Sequence, residues 1–335
     1  MEQGTDRTVN FSLKNIIYSI LFVVLLIGIY KLRNLVFVLL TSIVIAAFVD
    51  SGVHKLKKYR LGRTLSVVII YSFVLAILGF FLYLFVPIFL EQMAQFAGVL
   101  ESYLPESSRT GEFSGVINNF ERFAESAGKG VFQVAVLIFG GILNIVLLVV
   151  LSFYLAVNDR GIETFLRIVT PQSHEEYVVS LWKRTNRKIG LWFQGQLLLG
   201  LLVGVLTYLG LLIFNVKYSL LLAVAAAILE LIPFGIILAS VPAIAAGYTS
   251  NGTTGAIQVA ALYTIIQQFE NNLIQPLIVQ KVVGVSPLVV ILALLIGVQL
   301  AGVWGVFLSI PVAVLVMEIV ADVEEKRKQK KQIME

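Results

Sequence analysis

Gly195-Gln-Leu-Leu-Leu-Gly-Leu-Leu-Val-Gly-Val-Leu-Thr-Tyr-Leu-Gly-Leu-Leu-Ile-Phe214 runs for twenty residues without a charged side chain. At about 1.5 Å of rise per residue, a helix of that length matches a bilayer core about 30 Å thick. Open strands leave backbone groups unsatisfied in lipid, so the stretch reads as a membrane helix. Outward from it, apolar runs recur at 13–31, 34–50, 64–89, 131–157, 218–248, 255–280 and 287–320. Together with 194–215 they predict an all-α integral membrane protein of about eight transmembrane helices. Composition agrees: 58% of the 335 residues are hydrophobic and 13% charged, with mean hydropathy +0.92. A soluble domain carries about 25% charged residues.

The charges cluster between the apolar runs, a pattern of membrane orientation rather than of nucleic-acid binding. Lys55, Lys57, Lys58, Arg60 and Arg63 follow the second run. Arg160, Arg167, Lys183, Arg184, Arg187 and Lys188 follow the fourth, and Lys326, Arg327, Lys328, Lys330 and Lys331 follow the last. With eight spans all three segments fall on one side, so both termini are expected in the cytoplasm of a bacterial-type plasma membrane. The expected organisation is three spans over 1–90, an outer amphipathic loop over 91–130 and a fourth span over 131–157. A cytoplasmic loop over 158–193, four spans over 194–320 and a basic tail over 321–335 complete it. The outer loop carries Phe113, Val116, Ile117, Phe120 and Phe123 at helical spacing, which suits a helix on the membrane surface, on a partner, or on a neighbouring helix.

There is no cysteine, so no disulfide or thiolate metal site is available. No GxxxxGK[ST], HExxH or GxSxG pattern occurs, and neither histidine, His54 or His174, lies in a span. Nothing points to an enzyme, a cofactor or a bound metal.

Polar residues in the second half carry the functional expectation. Glu230 sits in Ala223-Val-Ala-Ala-Ala-Ile-Leu-Glu-Leu-Ile-Pro233. A charge at the bilayer centre costs at least about 2.5 kcal/mol, so such a residue faces a cavity or a partner. It is either a proton or cation site or a partner for broken backbone nearby. Gln267, Asn271 and Gln275 fall at i, i+4 and i+8 with Glu270 beside them, a polar stripe that either lines a cavity or joins helices. Pro233, Gly235, Pro242, Pro276 and Pro311 mark expected helix breaks, and freed carbonyls at membrane depth line transporter sites. A short repeat, Ser240-Val-Pro242-Ala and Ser309-Ile-Pro311-Val, has Glu230 and Gln299 twelve residues before each proline.

Gly195-Gln196-Leu197, Leu229-Glu230-Leu-Ile-Pro233-Phe-Gly235, Val241-Pro242-Ala243, Glu270-Asn271 with Pro276, Val283-Gly284-Val-Ser-Pro287, Gly302-Val-Trp-Gly305 and Ile310-Pro311-Val312-Ala313 follow in order over about 190–316. This half resembles the autoinducer-2 exporter family of bacterial membrane proteins. The family usually has Gly-Pro after the first proline, whereas Gly235-Ile236 stands here and the segment is shorter. The resemblance implies a secondary transporter of a small molecule or ion, an exporter of autoinducer-2 or a sodium(lithium)/proton antiporter, and a homo-oligomer. A channel-like oligomeric pore is the alternative class.

Overall fold

The computed structural model describes residues 31–56, 60–103, 141–158, 160–232, 235–274 and 287–334, with Ile20, Gly28 and Lys58. Among the described residues all regular structure is helical. The first half has α1 (Arg33–Leu56), α2 (Arg63–Tyr103), α3 (Ile142–Val157) and a short α4 (Gly161–Val169) turned 86° from α3. A 3₁₀ turn leads into α5 (Glu175–Ile213); α6 (Ser219–Leu229), α7 (Gly235–Phe269), a π-helical turn (Glu270–Ile274) and α8 (Pro287–Met334) follow.

Four helices among the described residues are long and apolar enough to cross a membrane: Arg33–Leu56, Arg63–Phe81, Gln172–Ile213 and Trp304–Gln329. The bent pair α3–α4 makes a fifth if taken as one span. This is a membrane all-α protein. The lipid-facing belt is plain on α5, where Leu201 is 63% exposed while Val203, two residues on, is fully buried. The expected count of eight is not reproduced one for one. Most of 13–31 and the first part of 131–157 lie outside the described residues, and two expected spans take a different form.

Two expected loops are partly helical. α2 continues unbroken to Tyr103, past the expected start of the outer loop at 91; residues 104–140, with the Phe113–Phe123 stripe, lie outside the described residues. The expected cytoplasmic loop at 158–193 is largely α4 and the first half of α5. Glu175 and Glu176 complement the positive end of the α5 dipole, and Ile189 and Trp192 pack into a core with Val44 and Ala47 of α1 and with α8. At 39 residues α5 is about 58 Å long, roughly twice the bilayer core. Its Lys183–Lys188 end therefore extends beyond the lipid.

The expected sixth span, 218–248, is not a single crossing. α6 ends at Leu229, and the chain turns back before Gly235. There an added Cβ would stand 1.7 Å from the Leu229 carbonyl oxygen. By 250 it has returned to its starting level: the Lys217 N–H donates to Ser250 Oγ at 3.0 Å, and Asn251 Nδ2 donates to the Phe214 carbonyl at 2.8 Å. The turn at Asn251 thus lies at the end of α5 opposite the basic segments, whereas eight alternating spans would put residues 249–254 beside them. A break wide enough for reversal, rather than a kink, produces this hairpin.

Pro242 and Pro311, expected as breaks, lie inside helices; the non-helical backbone falls at Asn251 and Gly252 (φ 62°) and at Gly302 (φ 55°). Proline fixes a φ that a helix tolerates and removes one hydrogen bond, whereas full reversal needs the positive φ that glycine adopts freely. Pro233 and Pro276 lie outside the described residues. α7 is therefore two arms, 235–250 and 253–269, and α8 likewise 287–301 and 303–334. Both turns share one spacing, Gly247-x-x-x-x-Gly252-x-x-Gly255 and Gly297-x-x-x-x-Gly302-x-x-Gly305. The outer glycines clasp the arms together: a Cβ at Gly255 would lie 2.2 Å from the Gly247 oxygen, and one at Gly305 would lie 1.8 Å from the Gly297 oxygen. The proline repeat does not correspond structurally, because Pro242 precedes its turn and Pro311 follows its own.

The second arm of α8 runs antiparallel to α5. Phe307 packs edge-on against Phe193 at 5.9 Å, Lys188 pairs with Glu318, and Arg184 pairs with Asp322 at 2.7 Å. Arg63 pairs with Asp50 at 2.9 Å and donates to the Ala156 carbonyl at 3.0 Å, so the basic segments after α1 and α3 and the basic C-terminal end of α8 gather at one end. From the opposite end, α6 and the first arm of α7 reach inward to 230–235. The α8 hairpin reaches inward from the basic end, and its turn at Gly302, five residues before Phe307, approaches the same depth.

A buried carboxyl pair where two helices break

Glu230 caps the C-terminus of α6 and Glu270 opens the π-helical turn after α7. Each is 1% exposed. Their carboxyl groups lie against one another, although forty residues separate them in sequence. The hairpin explains the meeting. α6 descends to Glu230, the first arm of α7 climbs away, and the second arm descends again to the same depth.

The surrounding groups hold the pair in place. Gln196 on α5 donates its side-chain amide to the Glu230 carbonyl, and the Ile236 backbone lies beside the Glu230 carboxyl. Gln267 Nε2 donates to Glu270 Oε2 at 3.1 Å and to Asn271 Oδ1 at 3.2 Å. Gly200 and Gly204 let α5 approach α6 closely: an added Cβ would meet the Ala227 oxygen at 2.8 Å and the Ala227 Cβ at 2.9 Å. Glu230 Oε2, Gln267 Oε1 and Tyr263 OH are buried and have no hydrogen-bond partner among the described residues. Such atoms in an apolar setting are costly unless satisfied. A cavity of about 410 Å³ lies beside them between the two arms of α7, bordered by Ser240, Tyr263, Thr264, Gln267 and Gln268. Carboxyl, amide and hydroxyl oxygens are the ligands a hard monovalent or divalent cation takes.

Of the residues singled out in the sequence, Glu230, Glu270, Gln267 and Asn271 are therefore neighbours. Asn271 is exposed at the edge of the group, and Gln275 lies outside the described residues. Tyr263 and Gln196 were not read as site residues. Gln196 had a usable signal, a lone amide on an otherwise apolar face; Tyr263 had none, since its burial depends on the hairpin.

The family model for AI-2E family transporters matches residues 19–325. "Putative transport protein YueF" of Bacillus subtilis (strain 168) is 25% identical over 80% of this chain and 79% of its own. "Putative permease PerM" of Escherichia coli (strain K12) is 28% identical over 72% of this chain and 70% of its own. "Putative transport protein YrrI" of Bacillus subtilis (strain 168) is 27% identical over 75% and 76%. With a match running from the first expected span into the basic tail, the chain belongs to the AI-2E family of membrane transporters.

Proposed function

We propose that this chain is a secondary transporter of a small solute or ion, driven by a proton or small-cation gradient and coupled through Glu230 and Glu270. The observation that carries the reading is the pair itself: two carboxyl groups in contact, each 1% exposed, where two helices break. Two charges at that depth would be prohibitive together, so the pair holds a proton or a cation whenever it is closed to water. The hairpins supply the other half of the reading. They enter from opposite ends and their tips approach the pair's depth, so a shift of either opens the site to one side only.

Export of autoinducer-2 and exchange of sodium or lithium for protons, the activities implied by the resemblance, both fit a coupling pair of this kind. By the positive-inside rule the end gathering Lys183–Lys188 and Lys326 is cytoplasmic, in a bacterial inner membrane. That puts the basic tail inside and the Asn251 turn outside. Asn271 and Asn272 are exposed amides near the pair, and a second copy of the chain in a homo-oligomer is the partner we assign to them.

Dye-loaded proteoliposomes test the reading. Sodium or lithium added outside should drive proton movement, or a proton gradient should drive uptake of a small polar solute, with saturation in either case. Flux that ignores both gradients, or single-channel conductance without saturation, would refute it.

A further inference from the structure

α4 is not used by the transport reading, yet it is the most sharply two-sided helix among the described residues. It leaves the apolar α3 at 86°, so where α3 runs through the bilayer α4 lies along its surface. Glu163 pairs with Lys183 at 3.2 Å and Arg167 pairs with Glu175, which fasten α4 to the basic half of α5. Phe165, Ile168 and Val169 point elsewhere: they are 62%, 78% and 65% exposed, at i, i+3 and i+4.

Beside α4 is a cavity of about 710 Å³, between the end of α1, the α3–α4 corner and α5. Its acids are already engaged, Asp50 by Arg63 at 2.9 Å and Glu163 by Lys183 at 3.2 Å. Its two remaining cations, Arg160 and Arg187, are exposed and make no ion pair among the described residues. An excess of guanidinium charge next to an exposed apolar edge suits one kind of occupant. Planar guanidinium groups bind phosphate in paired hydrogen bonds, and basic juxtamembrane residues favour anionic lipid.

We infer that α4 and this cavity form a docking site for an anionic phospholipid. Phe165, Ile168 and Val169 lie at the boundary of headgroups and acyl chains, and Arg160 with Arg187 holds the headgroup phosphate. A soluble phosphate would satisfy the arginines but leave the apolar edge in water, whereas a lipid satisfies both. The site is independent of the Glu230–Glu270 pair, so failure of one reading leaves the other standing.

The absence of native cysteine makes the test direct. Single variants Ile168→Cys and Arg167→Cys carry a nitroxide in vesicles of phosphatidylcholine with phosphatidylglycerol. The Ile168 label should collide with oxygen and be shielded from an aqueous nickel chelate, and the Arg167 label, on the face that carries the ion pairs, should do the reverse. Equal exposure of both to the chelate would overturn the surface placement. In detergent, short-chain phosphatidylglycerol should raise the unfolding temperature and phosphatidylcholine should not. The Arg160→Gln/Arg187→Gln double variant should lose that rise. A rise that survives in the double variant, or one matched by inorganic phosphate, would overturn the lipid site.

Discussion

Replacing Gly305 with alanine puts the hairpin clasp to a quantitative test. An added Cβ would lie 1.8 Å from the Gly297 oxygen and 2.5 Å from the Gly297 carbonyl carbon, against backbone rather than a mobile side chain. Ordinary carbon contacts begin near 3.5 Å, so the two arms of α8 must part by roughly 1.5 Å. Overpacking of this kind costs about 1–3 kcal/mol. Helix propensity acts the other way, because alanine is favoured over glycine by about 1 kcal/mol in a helix interior. The sign of the change therefore separates packing from propensity. Gly79 in α2 is the matched control, with nothing within 4 Å of an added Cβ. Thermal unfolding in detergent, followed by loss of the monodisperse size-exclusion peak, should show Gly305→Ala less stable by about 1 kcal/mol, roughly 2–4 °C. Gly79→Ala should be unchanged or slightly more stable. A Gly305→Ala protein as stable as the native one would refute the clasp, and with it the reading of α8 as a hairpin.

Three further outcomes follow from the same geometry. Single cysteines at Lys217 and Thr253 should be labelled from one side of the membrane and one at Lys183 from the other; labelling of Thr253→Cys together with Lys183→Cys would restore a single crossing at 218–248. Lys188→Ala leaves Glu318, only 8% exposed, with Arg184 at 3.6 Å as its remaining cation. Loss of a buried pair's partner costs about 3–5 kcal/mol, and with Lys188 itself 36% exposed a loss of about 1–2 kcal/mol is expected in denaturation. Leu211→Ala, at a fully buried position, should cost about 2 kcal/mol or more, and Leu201→Ala on the lipid-facing side should cost little; equal losses would contradict the assigned faces of α5.

Much of the fold was legible because lipid leaves few choices. Length, apolarity and the placement of lysine and arginine gave the helical class and gathered three basic segments at one end, which Arg63–Asp50 and Arg184–Asp322 now display. Topology in the second half was not legible by the same means. A run such as 218–248 is long enough to cross once or to enter and return, and hydropathy has the same value for both. The deciding feature was glycine. Gly252 and Gly302 adopt a positive φ, and Gly247, Gly255, Gly297 and Gly305 permit backbone contact between arms. Attention to Pro242 and Pro311 found a residue that bends helices in place of the one that reverses them. The acidic residues were easier, since a carboxyl in an apolar run is conspicuous. That Glu230 and Glu270 touch could be expected on energetic grounds, while the parts played by Gln196 and Tyr263 depend on tertiary packing.

The most direct measurement is gradient-coupled flux through proteoliposomes carrying the native chain, Glu230→Gln or Glu270→Gln. Glutamine keeps the shape of the side chain and removes the exchangeable charge, so each variant should insert, stay monodisperse and lose coupling to the proton or sodium gradient. Coupled flux at the native level in both variants would contradict the account.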